Sequence, residues 1–343
     1  MRYYSIIISD PDSGAIVKPK SLAGLSSDAT YTSFVNGVSL PGALNVELDI
    51  QVYDLATPNG ASWVRVWGIS LEEIGQANDL VGKSISVFAG MQKGLPLAKP
   101  KQAGLILQGS ILKSWGNWIG TDQTLDMIVV GALGSQAAPK NLIHNWKKGT
   151  PLADAITSTL KTAFPKYTVN VAISSKLILA EDDVGYYHTA GQYAQYVQEM
   201  SRSIIGGNYP GVYILLAEMA FSVYDLMATK TPIAIAFEDL IGQPTWINPQ
   251  TVQFKCAMRH NITVGDFITF PKDQNTSRNG QIPVTTTVQS ALPFGDPRKS
   301  KSIFQGTFYI SEARHLGNFR QPDAASWVSV FNASAVDATG GVT

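Results

Sequence analysis

The chain is short of charge, nearly empty of cysteine and poor in histidine, and each shortage narrows the function. Charged residues make up only 15% of its 343 positions, against roughly 25% in ordinary soluble domains. Such a surface is either dressed in Ser, Thr, Asn and Gln or partly buried against other subunits. Composition leaves both open. The signs cancel, 26 basic against 26 acidic residues, and the densest basic spots are Lys147-Lys148 and the group Arg298, Lys299 and Lys301. Affinity for a duplex comes largely from neutralising phosphates along a basic stripe. None is present, so sequence-specific nucleic-acid binding is not expected.

The lone cysteine, Cys256, excludes an internal disulfide and any multi-cysteine metal site. It alternates with Val252, Phe254 and Met258, which makes it a small hydrophobe on one face of a strand. The four histidines, His144, His188, His260 and His315, form no close ligand pair. His188 follows Glu181-Asp182-Asp183, a hint of a metal site, but a solvated loop before a helix is the stronger reading. No Gly-x-Ser-x-Gly elbow or phosphate-binding glycine loop occurs. Glu72, Glu73 and Glu312 are candidates for a glycosidase pair in principle, without a supporting motif. Accordingly no catalytic residue, metal or cofactor is assigned. The apolar run Ile6–Ile8 is too short for a signal peptide or membrane span, so synthesis in the cytoplasm without membrane insertion is expected.

What is present is a series of short strands. Val46, Leu48, Ile50 and Val52 alternate with Glu47, Asp49 and Gln51, the period of a half-buried strand. Strands are likewise predicted at Tyr4–Ile8, Trp63–Ile69, Ile85–Ala89, Leu105–Leu112 and Leu125–Val130, with a capping box, Ser70 and Glu73, opening a short helix. The middle changes character. Leu152, Ile156, Leu160 and Phe164 share one helical face behind Thr150-Pro151, and Tyr193, Val197, Met200 and Ile204 form a second stripe closed by Gly206-Gly207. The last third returns to strands at Val252–Met258, Asp266–Phe270, Ile303–Ile310 and Trp327–Phe331.

The outer thirds also resemble each other. Val81-Gly82-Lys83-Ser84-Ile85 matches Val264-Gly265-Asp266-Phe267-Ile268, and Gln108-Gly109-Ser110-Ile111 matches Gln305-Gly306-Thr307-Phe308, with a strand before and after each set. Self-similarity in the same order signals a repeated unit. The fold expected is mainly β with an α/β insert: two related antiparallel β-barrels, residues 1–133 and 236–343, flanking an α/β domain at 134–235. Three such chains would offer six similar units in a ring, closed by heterologous contacts.

The stretches Trp63-Val64-Arg65-Val66-Trp67-Gly68-Ile69-Ser70, Leu80–Met91 and Leu107-Gln108-Gly109-Ser110-Ile111 look like the first tube barrel of contractile-tail phage baseplate hub proteins. Gly306–Ile310, His315, Gly317-Asn318-Phe319-Arg320 and Trp327-Val328-Ser329-Val330 are similar to their second barrel. The resemblance implies a non-enzymatic tail-tube-like hub in the virion baseplate, assembled in the host cytoplasm. It further implies a homotrimer that joins the sixfold tail tube protein to the threefold central spike protein, with the tape measure protein as a further partner.

Two stretches suit contacts in such an assembly. Leu95, Pro96 and Leu97 lie in a proline-stiffened apolar loop that loses little entropy on docking. Trp115 and Trp118 lie near a hairpin tip, where aromatics serve as interface anchors or cap a barrel. The competing reading is a carbohydrate-binding or hydrolytic β-protein of a tail or cell envelope.

Overall fold

The computed structural model describes residues 1–19, 28–56, 61–92, 99–131, 141–207, 209–217, 220–227, 231–270 and 306–336. In chain order the first third holds β1 (Arg2–Ser9), β2 (Tyr31–Thr32), β3 (Phe34–Val35), β4 (Val38–Ser39), β5 (Asn45–Val52), β6 (Ser62–Trp67), α1 (Leu71–Gly75), β7 (Ser84–Met91), β8 (Gly104–Ile119) and β9 (Asp122–Gly131). The middle holds β10 (Leu142–Trp146), α2 (Leu152–Ala163), β11 (Thr168–Ala172), β12 (Asp183–Tyr187), α3 (Ala190–Ile205), β13 (Tyr213–Ala217) and β14 (Ala220–Tyr224). Last come β15 (Ile233–Ala234), β16 (Thr245–Trp246), β17 (Thr251–Ala257), β18 (Phe267–Thr269), β19 (Phe308–Asn318) and β20 (Trp327–Ala335).

The protein is mainly β, dominated by one 13-stranded sheet whose main path runs β16-β17-β20-β19-β5-β6-β9-β8-β7-β1-β2. Alternation builds it. In β5, Val46, Leu48 and Ile50 are buried while the residues between them are only half-buried. The Ser70 hydroxyl accepts from the Glu73 amide and the Glu73 carboxylate accepts from the Ser70 amide, so the expected capping box starts α1. In the middle, β11 and β14 pair in parallel beside β13, and the apolar stripes of α2 and α3 bury Leu152, Ile156, Leu160, Tyr193 and Val197. Thr189 caps α3, its side chain accepting from the Gln192 amide, and Pro151 stands at the cap of α2.

Three separate apolar clusters form. One gathers β1, β5–β9 and Trp327, one gathers α2 and α3 with β13 and β14, and one gathers β17–β20 with Leu215 and Tyr224.

The sheet contains the same six-strand order twice. β5-β6-β9-β8-β7-β1 corresponds to β16-β17-β20-β19-β18-β15. The registers agree as well. Ser84 faces Ser110 and Phe267 faces Tyr309; Ser62 faces Val129 and Val252 faces Ala333. Each long strand shifts register at the same place, between Ile111 and Lys113 in β8 and between Ile310 and Glu312 in β19. The Gly82 amide donates to the Ile111 carbonyl at 2.8 Å, and the Gly265 amide donates to the Ile310 carbonyl at 2.8 Å. Both glycines have positive φ, 82° and 86°, a backbone that side-chain-bearing residues rarely adopt.

Two details depart from expectation. The sequence match set Ile111 against Phe308, but the ladder sets it against Ile310, and β19 runs on to Asn318, past the expected end at Ile310; Ile303, Phe304 and Gln305 of the expected strand lie outside the described residues. The units also differ at one outer strand: β1 joins β7 antiparallel, whereas β15 joins β18 in parallel.

Candidate assembly interface

Two places stand out once the correspondence is drawn: the join between the units, and the same edge where no strand covers it. At the join, the far half of β19 pairs with β5, from Ala313 opposite Val52 to Asn318 opposite Glu47. Arg314 grips Asp49 through Nε (2.7 Å) and Nη2 (2.5 Å), and Asn318 Nδ2 donates to Glu47 at 2.6 Å. The hydrogen bond to Asp49 raises the Arg314 pKa. Arg2 Nη1 donates to the Asn318 carbonyl at 2.8 Å and Trp327 Nε1 donates to the Gly90 carbonyl at 2.9 Å, so the closing strands are tied to β1 and β7 too.

Buried groups lie along this join. His315 is 3% exposed with Nδ1 2.8 Å from the Ser329 hydroxyl. Burial, helped by the neighbouring His260, pushes its pKa down to about 4, so the ring is neutral at ordinary pH. Asp239 binds Lys99 (2.7 Å) and the buried Arg259 (3.1 Å). Burial works against its charge, but the two cations outweigh that and hold its carboxyl below the usual range.

On the other unit, the half of β8 equivalent to the paired half of β19 runs from Ser114 to Ile119. It pairs with β9 on one side, and among the described residues no strand lies on the other. Trp115 is 39% exposed, Trp118 63% and Ile119 74%. The turn lies beyond them at Gly120, so both tryptophans stand on β8 itself, and Trp118 Nε1 donates to the Gly120 carbonyl at 2.9 Å. Opposite Trp115 in the ladder, and on the same face of the sheet, sits the fully buried Asp126 of β9, which accepts from Arg65 Nε (2.6 Å), Trp63 Nε1 (3.1 Å), Asn117 Nδ2 (3.0 Å) and Thr124 Oγ1 (3.2 Å). Arg65 also lies over the rings of Trp63 and Trp67, at 4.7 and 5.4 Å. Trp115 thus stands on the face that Asp126 ties together, while Trp118 projects from the opposite face. Leu95, Pro96 and Leu97 lie outside the described residues.

The groups weighed for chemistry have structural contacts. Glu73 caps α1 and accepts from Tyr31 Oη at 2.8 Å, and Glu312 accepts from Asn332. Burial raises the Cys256 thiol pKa to about 12, which leaves it a protonated strand residue. His188 touches Tyr186 Oη at 3.3 Å. Among the described residues no group of three His, Cys, Asp or Glu side chains is placed to hold a metal, and no helix is long and apolar enough to cross a membrane. A His–Asp pair that sequence reasoning missed joins His144 Nε2 to Asp183 at 2.8 Å, with Tyr196 Oη donating to the same carboxylate at 2.6 Å. Its imidazole is stacked on Trp146 at 3.9 Å, inside a packed aromatic group with Tyr187 and Tyr193. No local motif announces it, because β10 and β12 bring the two residues together across the intervening helix α2.

No protein-family model matches the chain, and no curated protein matches its sequence. Among solved structures it is similar to tail and secretion-apparatus proteins. One is an Escherichia coli component of the type VI secretion system described as similar to T4 bacteriophage tail proteins, with 9% identity, 87% of this chain and 74% of that one covered, and a TM-score of 0.49. A tail protein from Neisseria meningitidis has 10% identity, 96% of both chains covered and a TM-score of 0.49. A 43 kDa tail protein of prophage MuSo2 from Shewanella oneidensis has 8% identity, 96% of both chains covered and a TM-score of 0.49.

Proposed function

We propose that this chain is a structural, non-enzymatic hub subunit of a contractile-tail baseplate. It acts as a homotrimer in which two barrel-like units per chain present six similar surfaces to a sixfold tail tube protein. The opposite face keeps threefold symmetry for a central spike protein. On this reading the barrels occupy residues 1–133 and 236–343, with the α/β insert between them at 134–235, except that its last strand, β15, joins the second barrel's sheet.

One observation carries the reading: the two six-strand units share order, register, bulge and the Gly82/Gly265 hydrogen bond. A pair of similar units in one polypeptide lets a threefold assembly mimic sixfold symmetry. The low charge content agrees with a surface partly buried against neighbours.

Native mass spectrometry of the purified chain, alone and with tube protein, tests it, with image averages of the same sample. A trimer whose averages show six similar lobes is expected. A chain that stays monomeric in both conditions, or a ring of another number, overturns it.

A further inference from the structure

We infer that the cleft where the two six-strand units meet the α/β insert is a binding site for a neutral, N-acetylated sugar. The inference goes beyond the hub reading and does not depend on it.

The cleft has a volume of about 380 Å³, inside the range of roughly 300–1,000 Å³ typical of small-molecule sites. Each part of the chain supplies a wall. Gln51 and Gln108 come from β5 and β8 of the first unit, Asn170 and Ser222 from β11 and β14 of the insert, and His260 and His315 from the second unit. The insert sheet shapes the opening. Asn170 pairs with Ser222 and Ser222 with Leu215, so strand alternation sets all three on one face. Leu215 packs into the third apolar cluster, Ser222 is half-buried and Asn170 is exposed. That face therefore runs from packed core to open mouth within three strands. On another wall, a Cβ on Gly104 would come within 2.5 Å of the His260 ring, so the glycine is what lets the imidazole lie against β8.

The lining selects the ligand. Among the described residues no lysine, arginine, aspartate or glutamate lines the cleft. A charged ligand would lose hydration there without gaining a counter-charge. His315 is neutral at ordinary pH, because burial depresses its pKa. The side chains of Gln108, Asn170, Ser222 and His260 make no hydrogen bond to another described residue. Tyr53 Oη donates to Gln51 Oε1 at 3.2 Å, which leaves Gln51 Nε2 as a donor. Carboxamides, hydroxyls and neutral imidazoles each donate and accept. Sugar hydroxyls have the same double capacity, and an acetamido group matches a side-chain carboxamide, N–H to C=O and C=O to N–H. Leu105, Leu215, Ile262 and Ala313 offer apolar wall to the ring C–H faces and the acetyl methyl. An extended peptide fits less well. Ser222 is paired on both sides, by Asn170 and Leu215, and Ala313 by Val52 and Phe331, so these walls present side chains rather than a free strand edge.

Saturation-transfer NMR on the full chain tests the site with three disaccharides. These are N,N′-diacetylchitobiose, its deacetylated form chitobiose, whose amines are cationic in mildly acidic buffer, and cellobiose, which has neither group. Transfer to diacetylchitobiose is expected, strongest at the acetyl methyls, with cellobiose weaker by about tenfold and chitobiose silent. Asn170→Ala and Gln108→Ala should each weaken binding by roughly threefold to tenfold. Asn170→Trp, which fills the mouth from an exposed position, should abolish it. Melting temperatures establish that each variant is folded, and should Gln108→Ala fold poorly, the two replacements of the exposed Asn170 carry the test. Absence of transfer to diacetylchitobiose overturns the inference, and so does equal binding of all three sugars. Undiminished binding by folded Asn170→Trp places the sugar elsewhere and overturns it too. The hub reading is judged separately, by assembly, and survives any of these results.

Discussion

Arg314 and Asp49 form a two-pronged ion pair across the join between β19 and β5, with Nε and Nη2 each on a separate carboxylate oxygen at 2.7 and 2.5 Å. The contact ties the last strands to the first third of the chain. Its side chains are nevertheless 48% and 31% exposed, so solvent screens the pair and its contribution stays below about 1 kcal/mol. A double-mutant cycle with D49N and R314Q should give a coupling of that size that shrinks as salt rises. A coupling of several kcal/mol would mean the join depends on this pair rather than on its ladder.

Asp126 is the opposite case. Its carboxylate is fully buried and takes four side-chain donors from three strands. Asp126→Ala leaves the Trp63 and Thr124 donors without their acceptor in the protein and removes the anchor of Arg65. A loss of roughly 2–4 kcal/mol is expected. Asp126→Asn keeps an acceptor and should lose less. Urea unfolding of the two variants checks the order, and equal losses would contradict it.

The repeat was legible in sequence because its Val-Gly motif answers a backbone need. Gly82 and Gly265 both stand at positive φ and both donate into the long strand. The Gln-Gly match misled because its glycines do different jobs. Gly109 lies in β8, where a Cβ would collide with the Val130 carbonyl, while Gly306 precedes β19 at φ 111° with open space around it. Strand side chains alternate with period two, so a slip of one full pleat keeps every residue on its proper face. Hydrophobic pattern alone could not correct it. The edge that β5 covers in one unit and leaves open in the other is also invisible in sequence, since strand pairing between distant segments has no local signature. Trp115 and Trp118 are noticeable in the sequence because large aromatics near a turn stand out, and both are exposed on β8.

The two motif glycines should respond unequally to alanine. A Cβ on Gly82 meets nothing within 4 Å, so Gly82→Ala costs only the left-handed backbone strain, about 1–2 kcal/mol. A Cβ on Gly265 would run into the ring of Tyr224, which lies in the third apolar cluster. Gly265→Ala therefore adds a steric clash and should be the more destabilising by at least about 1 kcal/mol. Thermal unfolding of both variants measures the difference, and an equal loss would place Tyr224 elsewhere.

His315 gives the join a pH dependence. Burial depresses its folded pKa to about 4 from an ordinary 6.5. The unfolded chain therefore binds this proton first as pH falls. Stability from the neutral ring is full above about pH 6.5, declines between 6.5 and 4, and levels off below. The full loss from this one group is roughly 3 kcal/mol, at about 1.4 kcal/mol for each pH unit of difference. His315→Asn removes the titration while offering a polar partner to Ser329, whose hydroxyl lies 2.8 Å from the ring. Carboxylates titrate alike in parent and variant, so the quantity to measure is the difference in unfolding free energy between the two from pH 7 to pH 4. That difference should move in the variant's favour as the pH drops. A difference that stays constant over the interval would show that His315 is protonated within the fold.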